Sequence, residues 1–506
     1  MMLADSPKMP TATKMMKKGP KKSTNMKKEK ASSLVKSKLS SVTMTEKSKS
    51  KGGGPAAKRM KAGGRGVPLR KIDYKFDPNY RFSEAPVEKV DDPTDFHPLY
   101  FLRTHSKNND PADVQTQIWQ CSFEPCPEKP HSKTNVVATC GGSSVCFINV
   151  EDGEVVLKYN RSTKTATAGE NLYAQVWSTL ILDDLGLRTM NILAAAGARS
   201  TVLLIHPEAG VCYQMFRTVP NKAAAVVCAL LFHPKKATWL FCGHEDGQIQ
   251  LWDVGIPSLP SYETTPVHLM TIPAVARDVY NLTFSCTHDL LIAGCDGGLF
   301  GWSIDLQKIE ASDRLERTEF ILPEVDGNGS VLDSVCMLRD DLLAAKCALH
   351  GQIYIFSLSR TLKKRTMNKA RSQFETKVAG EEMLKLRWSD TDNYYMNMGL
   401  DPGSCILVCG DDKGALWVYD LADYVSGKVS SPLTEGPQLP LVEPVKILEW
   451  PELEDAEVEK ARKLRLDTYD IVVDKCTVSP GGQHIVAVTS NNMVCIWKRG
   501  KEQDDD

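Results

Sequence analysis

Residues 239–254 read WLFCGHEDGQIQLWDV. An apolar run, Trp239–Cys242, meets a polar turn around Gly247, and an alternating second run ends on Trp252–Asp253. Period-two alternation on both sides of a glycine-bearing turn predicts a β-hairpin, because glycine supplies the positive φ that short hairpin turns require. The same shape recurs six more times, as VVATCGGSSVCFINV (136–150), ILAAAGARSTVLLIH (192–206), LLIAGCDGGLFGWSI (290–304), LLAAKCALHGQIYIFSL (342–358), ILVCGDDKGALWVYDL (406–421) and IVAVTSNNMVCIWKR (485–499). Aligned on the end of the second strand, the hairpins bring Ile148, Ile205, Trp252, Trp302, Phe356, Tyr419 and Trp497 into equivalence. Their intervals are 57, 47, 50, 54, 63 and 78 residues.

One hairpin says little. Seven, at a spacing a little above about 40–45 residues, predict the blades of a WD-repeat propeller. Trp252–Asp253 is the full terminal dipeptide and Tyr419–Asp420 a near variant; the other blades lack it. The expected fold is all-β, a seven-bladed WD-repeat β-propeller over residues 96–500. The last hairpin lies near the chain's end, so the outermost strand of its blade is expected from Leu99–Arg103, which would close the ring and remove an open edge. Two insertions stand out: Thr361–Glu382, placed between blades five and six, and Ala422–Tyr469, ahead of the last hairpin. The second holds AEVEKARKLRL (456–466), which reads as a short helix.

Outside the repeats the composition changes. Residues 1–70 carry 19 Lys and Arg against three acids and no aromatic residue, whereas the remainder has a net charge of −17. Such a segment buries too little apolar surface to offset the entropy of ordering its backbone, so it is read as a disordered lysine-rich tail. Residues 71–95 read as a linker, with Tyr74, Phe76, Tyr80 and Phe82 as anchors, and 501–506 as an acidic C-terminal tail. Lys17, Lys18, Lys21, Lys22, Lys27 and Lys28 form one basic cluster, and Lys58, Arg59 and Lys61 another. Clustered positive charge suits nuclear import and non-specific contact with DNA phosphates through counterion release. No aromatics interleave the lysines, which argues against base stacking. Lys363, Lys364, Arg365, Lys369 and Arg371 read as a surface loop.

Catalytic constellations are missing: there is no GxxxxGK[ST], HExxH or GxSxG and no kinase signature. Cys121 and Cys126 have zinc-like spacing, but no second pair completes a site. His244 in CGHEDG reads as part of a solvated turn. The fifteen cysteines, Cys140, Cys242, Cys409 and Cys495 among them, read as buried free thiols. The longest apolar run, Ala223–Phe232, is ten residues, about half a membrane span. A binding protein is expected, without catalysis, metal, cofactor or membrane contact, and monomeric because a propeller ring is self-contained.

Across residues 95–499 the chain resembles the WD-repeat half of the leucine-rich repeat and WD repeat-containing protein 1 family, associated with the origin recognition complex. The resemblance lies in FLRTHSKNNDPADVQTQIWQCSFEP (101–125), VVATCGGSSVCFI, ILAAAGARSTVLLIH, LWDVGIP, LLIAGCDGG, ILVCGDDKGALWVYDL and NNMVCIWK. It departs where that family begins, since residues 1–94 contain no LxxLxLxxN pattern. The resemblance implies a nuclear protein that associates with origin recognition complex subunits and with trimethyl-lysine-marked heterochromatin at centromeres, telomeres and other silent regions. The alternative is a WD-repeat scaffold of another nuclear assembly, in ribosome biogenesis or as a ubiquitin ligase substrate receptor.

More distantly, GENLYAQVW (169–177), LAAAGARSTVLLI and LLFHPKK followed by IQLWDV are similar to the polycomb embryonic ectoderm development family. That similarity implies an aromatic cage for trimethyl-lysine on histone tails, with Trp119 in QIWQCSF and Tyr173 in ENLYAQVW as matching positions. The remaining cage aromatics are expected just before LRWS, where Leu384 and Lys385 stand instead. Either another residue such as Trp388 rebuilds the cage, or Trp119 and Tyr173 only pack at blade edges.

Overall fold

The first strands of the seven blades are Ile118–Pro125, Leu172–Ile181, Val227–His233, Val279–Ser285, Leu332–Arg339, Gly399–Asp401 and Val473–Val478. Each touches the first strand of the next blade, and the seventh returns to the first, so together they surround a central axis. The computed structural model describes residues 86–110, 112–129, 132–160, 171–183, 188–219, 225–274, 277–304, 315–322, 331–364, 375–428, 441–449 and 471–500. The lysine clusters, the linker aromatics, residues 456–466 and the acidic C-terminal tail lie outside them. Among the described residues no helix is long and apolar enough to cross a membrane.

All seven expected hairpins are the second and third strands of their blades. The register pairs Val137 with Ile148, Leu193 with Ile205, Leu240 with Trp252, Leu291 with Trp302, Leu343 with Phe356, Leu407 with Tyr419 and Ile485 with Trp497. The positions equated in the sequence are therefore equivalent in space. Every hairpin turn contains a residue at positive φ; in blade three it is Gly247 at 77°, and in blade two, where the turn lacks glycine and asparagine at that place, Ser200 takes it at 54°. Among the described residues the apolar core divides into seven clusters, one per pair of neighbouring blades. Trp302, Phe356 and Tyr419 are buried in them, which explains why the terminal aromatic can be exchanged for another large apolar group.

The ring closes as expected. Phe96–Leu102 pairs antiparallel with Val494–Arg499 and becomes the outer strand of blade seven. The chain then reaches blade one through His105, whose ring nitrogens contact the Thr139 hydroxyl at 2.8 Å and the Ser144 hydroxyl at 2.8 Å. Asn492, in the turn of blade seven, donates to the Ser106 hydroxyl and the Asp113 carbonyl.

Three expectations need correction. Thr361–Glu382 does not lie between blades five and six, because Glu382–Arg387 is the fourth strand of blade five itself, with Leu441–Val442 paired beyond it. The insertion interrupts that blade, and its strand Glu375–Ala379 pairs parallel with Arg317–Ile321 on blade four. Nor is Ala422–Tyr469 wholly an insertion, since Lys446–Leu448 is the outer strand of blade six. His244 is no solvated turn residue: it ends a strand opposite Val227 and is 1% exposed. The fifteen cysteines are free, and Cys140, Cys242, Cys409 and Cys495 are buried. Cys121 lies between blades one and seven, its thiol pushed up to about 12 by burial.

Burial pushes His105 down to about 3, with Lys158 adding to the effect, and His206 and His233 down to about 4. A histidine whose pKa is lowered on folding is neutral in the native state, while the unfolded chain takes up a proton below about 6.5. Its stabilisation is therefore complete above that pH and is lost as pH falls towards 3–4. Urea denaturation at a series of pH values should show the midpoint falling steadily from pH 7 to pH 4. His105→Gln should flatten that slope.

Candidate ligand site at the channel mouth

In six of the seven blades the pairing of the first strand skips its second residue. A bulge of this kind releases a side chain from the alternation of the ladder and re-aims it. The skipped residues are Trp119, Tyr173, Cys228, Tyr280, Asp333 and Asp474, all at the same end of the axis. Blade six breaks the pattern: the segment Tyr394–Asn397 precedes its short first strand.

Trp119 and Tyr173 come together there with a third ring that the sequence reading did not nominate. The Trp119 and Tyr173 rings lie 5.2 Å apart at 88°, and Trp119 and Tyr395 lie 5.6 Å apart at 85°. Two tyrosine rings thus stand nearly perpendicular to one indole, and all three are half-buried. Tyr280 follows at 5.8 Å from Tyr395, and Tyr394 at 5.9 Å from Tyr280. Aromatic faces carry negative quadrupole charge, so converging rings suit a cation with weakly held water. The rim beyond is acidic. Tyr280 donates to Asp278 at 3.4 Å, and Asp278 is pushed up to about 6 by burial, with Glu245 and Asp296 adding to it.

Tyr395 reaches this place through an unusual backbone, at φ 77°. For a residue with a Cβ the left-handed region costs about 1–2 kcal/mol, and several contacts offset it. The Tyr395 N–H donates to Asp333 Oδ2 at 2.8 Å, and the Met396 N–H to the same oxygen at 3.2 Å. At the far end of the ring the hydroxyl donates to the Cys228 carbonyl on blade three at 2.7 Å. Burial pushes this hydroxyl well up, so it remains a donor. The Asn397 N–H donates to the Asp474 carbonyl.

The other positions singled out before LRWS lie elsewhere. Leu384 is buried in the core between blades five and six, and Lys385 sits on the fourth strand of blade five, 5.8 Å over the Tyr354 ring. Trp388 does not join Trp119 and Tyr173; its face is taken by Lys346, whose Nζ lies 4.3 Å from the ring centroid. Lys346 also donates to Asp333 Oδ2 at 2.7 Å, and both side chains are 0% exposed. The signal that would have found Tyr395 is the pair Tyr394–Tyr395 itself, since it precedes a blade without forming part of a hairpin.

The family model of the WD domain of leucine-rich repeat and WD repeat-containing protein 1 matches residues 91–500. The chain belongs to that family. The family member of Xenopus tropicalis is 35% identical over 413 residues, covering 79% of this chain and 55% of the relative. The human member is 32% identical over 408 residues, covering 79% and 58%. The chain thus spans about half the length of the curated family members it matches. Among solved structures, a chain of the humanized mutant Chaetomium thermophilum polycomb repressive complex 2 aligns with a TM-score of 0.56 at 14% identity, covering 81% of this chain and 99% of that one. A chain of ctPRC2 in complex with H3K27me3 and H3K27M aligns with a TM-score of 0.55 at 13% identity, covering 80% and 98%. These likenesses show that the family's WD domain shares the propeller fold.

Removing one member of a buried ion pair strands the other charge. Asp333→Ala should therefore lower the unfolding free energy by about 3–5 kcal/mol, as measured by urea denaturation. Asp333→Ala combined with Lys346→Met should recover most of that loss.

Proposed function

We propose that this chain is a nuclear, chromatin-associated WD-repeat scaffold that reads a trimethyl-lysine side chain on histone tails and helps hold the origin recognition complex on heterochromatin. The observation that carries this reading is the convergence of Trp119, Tyr173 and Tyr395 from three separate elements, both tyrosine rings nearly perpendicular to the indole. A quaternary ammonium has no N–H to satisfy and sheds its water cheaply, so aromatic faces discriminate it from an unmodified lysine. A chain of the same fold belongs to a complex solved with H3K27me3, which supports the same chemistry here. The origin recognition complex enters through the family resemblance.

The role is that of a binder, without catalysis, and the lysine-rich residues 1–70 supply import and non-specific contact with DNA. Phosphate contacts by lysines weaken as salt rises, so the tail acts as an auxiliary to the propeller and not as the source of specificity.

Fluorescence polarisation with a short basic peptide, unmodified and trimethylated at one lysine, tests the cage directly. The full chain should bind the trimethylated peptide roughly tenfold more tightly, and Trp119→Ala or Tyr173→Ala should erase that preference. Equal affinity of the full chain for both peptides would remove the methyl-lysine reading. Chromatin retention should also be lost at lower salt when residues 1–70 are deleted, as followed by stepwise salt extraction of nuclei.

A further inference from the structure

We infer that the buried Asp333–Lys346 pair, seated on Trp388, is a positioning device that sets Tyr395 as the third wall of the channel-mouth site. For its binding consequence this inference rests on the methyl-lysine reading above.

Asp333 is the skipped residue of blade five, the counterpart of Trp119 in blade one and Tyr173 in blade two. Where those blades aim an aromatic ring at the axis, blade five presents a carboxylate. One of its oxygens, Oδ2, collects three donors: Lys346 Nζ at 2.7 Å, the Tyr395 N–H at 2.8 Å and the Met396 N–H at 3.2 Å. Two successive amides can point at one oxygen only if the backbone turns sharply between them, and φ 77° at Tyr395 is that turn. A neutral acceptor would hold the amides less strongly, since hydrogen bonds to an ionised oxygen are about twice as strong as neutral ones.

Lys346 supplies the opposite charge for this carboxylate in a place from which water is excluded. The lysine enters from the second strand of blade five and is fully buried; its ammonium is held by Asp333 on one side and by the Trp388 face, 4.3 Å away, on the other. Trp388 is in turn fixed by its indole N–H, which donates to the Gly410 carbonyl of blade six at 3.2 Å. The charge pair thus links blade five to the segment leading into blade six, and Tyr395 is the residue that this link delivers to the axis. Farther along, the Ser334 hydroxyl accepts from the Met398 N–H at 2.9 Å, and Lys475 Nζ donates to the Met398 carbonyl at 2.6 Å. Those contacts anchor the segment beyond Tyr395; at the turn itself Asp333 holds the two amides, while the Tyr395 hydroxyl donates to the Cys228 carbonyl at 2.7 Å and Asn397 Nδ2 to the Tyr395 carbonyl at 3.4 Å.

The test uses the full chain, labelled with 3-fluorotyrosine, with the Tyr395 resonance assigned by its disappearance in Tyr395→Phe. The key variant combines Asp333→Leu with Lys346→Met, which removes both charges together and leaves no buried ion alone. A circular dichroism spectrum and a cooperative melt establish that it folds. In this variant the Tyr395 resonance should move to the position of a solvent-exposed tyrosine, and the preference for the trimethylated peptide should fall roughly tenfold. Asp333→Asn keeps an acceptor beside the two amides and should retain more of both properties than the double variant. An unmoved resonance and an unchanged peptide preference in the folded double variant would overturn the inference. If the unsubstituted chain shows no preference for the trimethylated peptide while the double variant still displaces Tyr395, the methyl-lysine reading fails and the positioning role stands.

Discussion

The pairing of Phe96–Leu102 with Val494–Arg499 is the constraint on which the rest of the structure depends. Blades of a propeller bury their apolar faces only against neighbours, so an open row would leave two faces bare and two sheet edges unpaired. Closure by residues from opposite ends of the chain makes blade seven the neighbour of blade one. It also sets His105 and Asn492 within reach of blade one and the strand leading to it. The seven inter-blade clusters form one continuous ring of packing only because of that last pairing, and the ring is what brings Trp119, Tyr173 and Tyr395 to one place.

The fold was legible because its signal is repeated. Each hairpin is weak alone, yet all seven were aligned on one position, and strand register makes those positions equivalent, with Ile148 and Ile205 standing where Trp252 and Trp302 stand. Outer strands were harder to see. They follow their hairpins only after long connections and share no turn with them, so Glu382–Arg387 and Lys446–Leu448 merge into apparent insertions. His244 misleads for a related reason: its polar neighbours Glu245 and Asp246 suggest a turn, but the strand runs on through Gly243 to His244 and carries the ring into the interior.

The candidate site was half legible. Trp119 and Tyr173 were found through a resemblance, and their meeting follows from a bulge that recurs blade after blade. Tyr395 is not legible in this way, because it belongs to no strand and reaches the axis through a left-handed backbone that local pattern does not announce. That conformation is set by contacts with blades three and five, remote in sequence. Strained backbone persists where surrounding structure over-determines it, and here a carboxylate, a lysine and a tryptophan are arranged to do so.

The same chemistry appears twice at this end of the propeller, used in opposite ways. Lys346 lies over Trp388 with Asp333 beside it, an ammonium satisfied by both a ring face and a carboxylate. An unmodified lysine needs that carboxylate, since its N–H groups lose water on burial and must find acceptors. The trio Trp119, Tyr173 and Tyr395 contributes aromatic rings, and Asp333 Oδ2 is already taken by Lys346 and by the backbone of the third wall. Ring faces without an acceptor penalise a cation that must hydrogen-bond and accept one that cannot. On the proposed methyl-lysine reading the internal pair has two effects: it holds Tyr395 in place, and it occupies Asp333 Oδ2, so that this oxygen offers nothing to a lysine ammonium at the site.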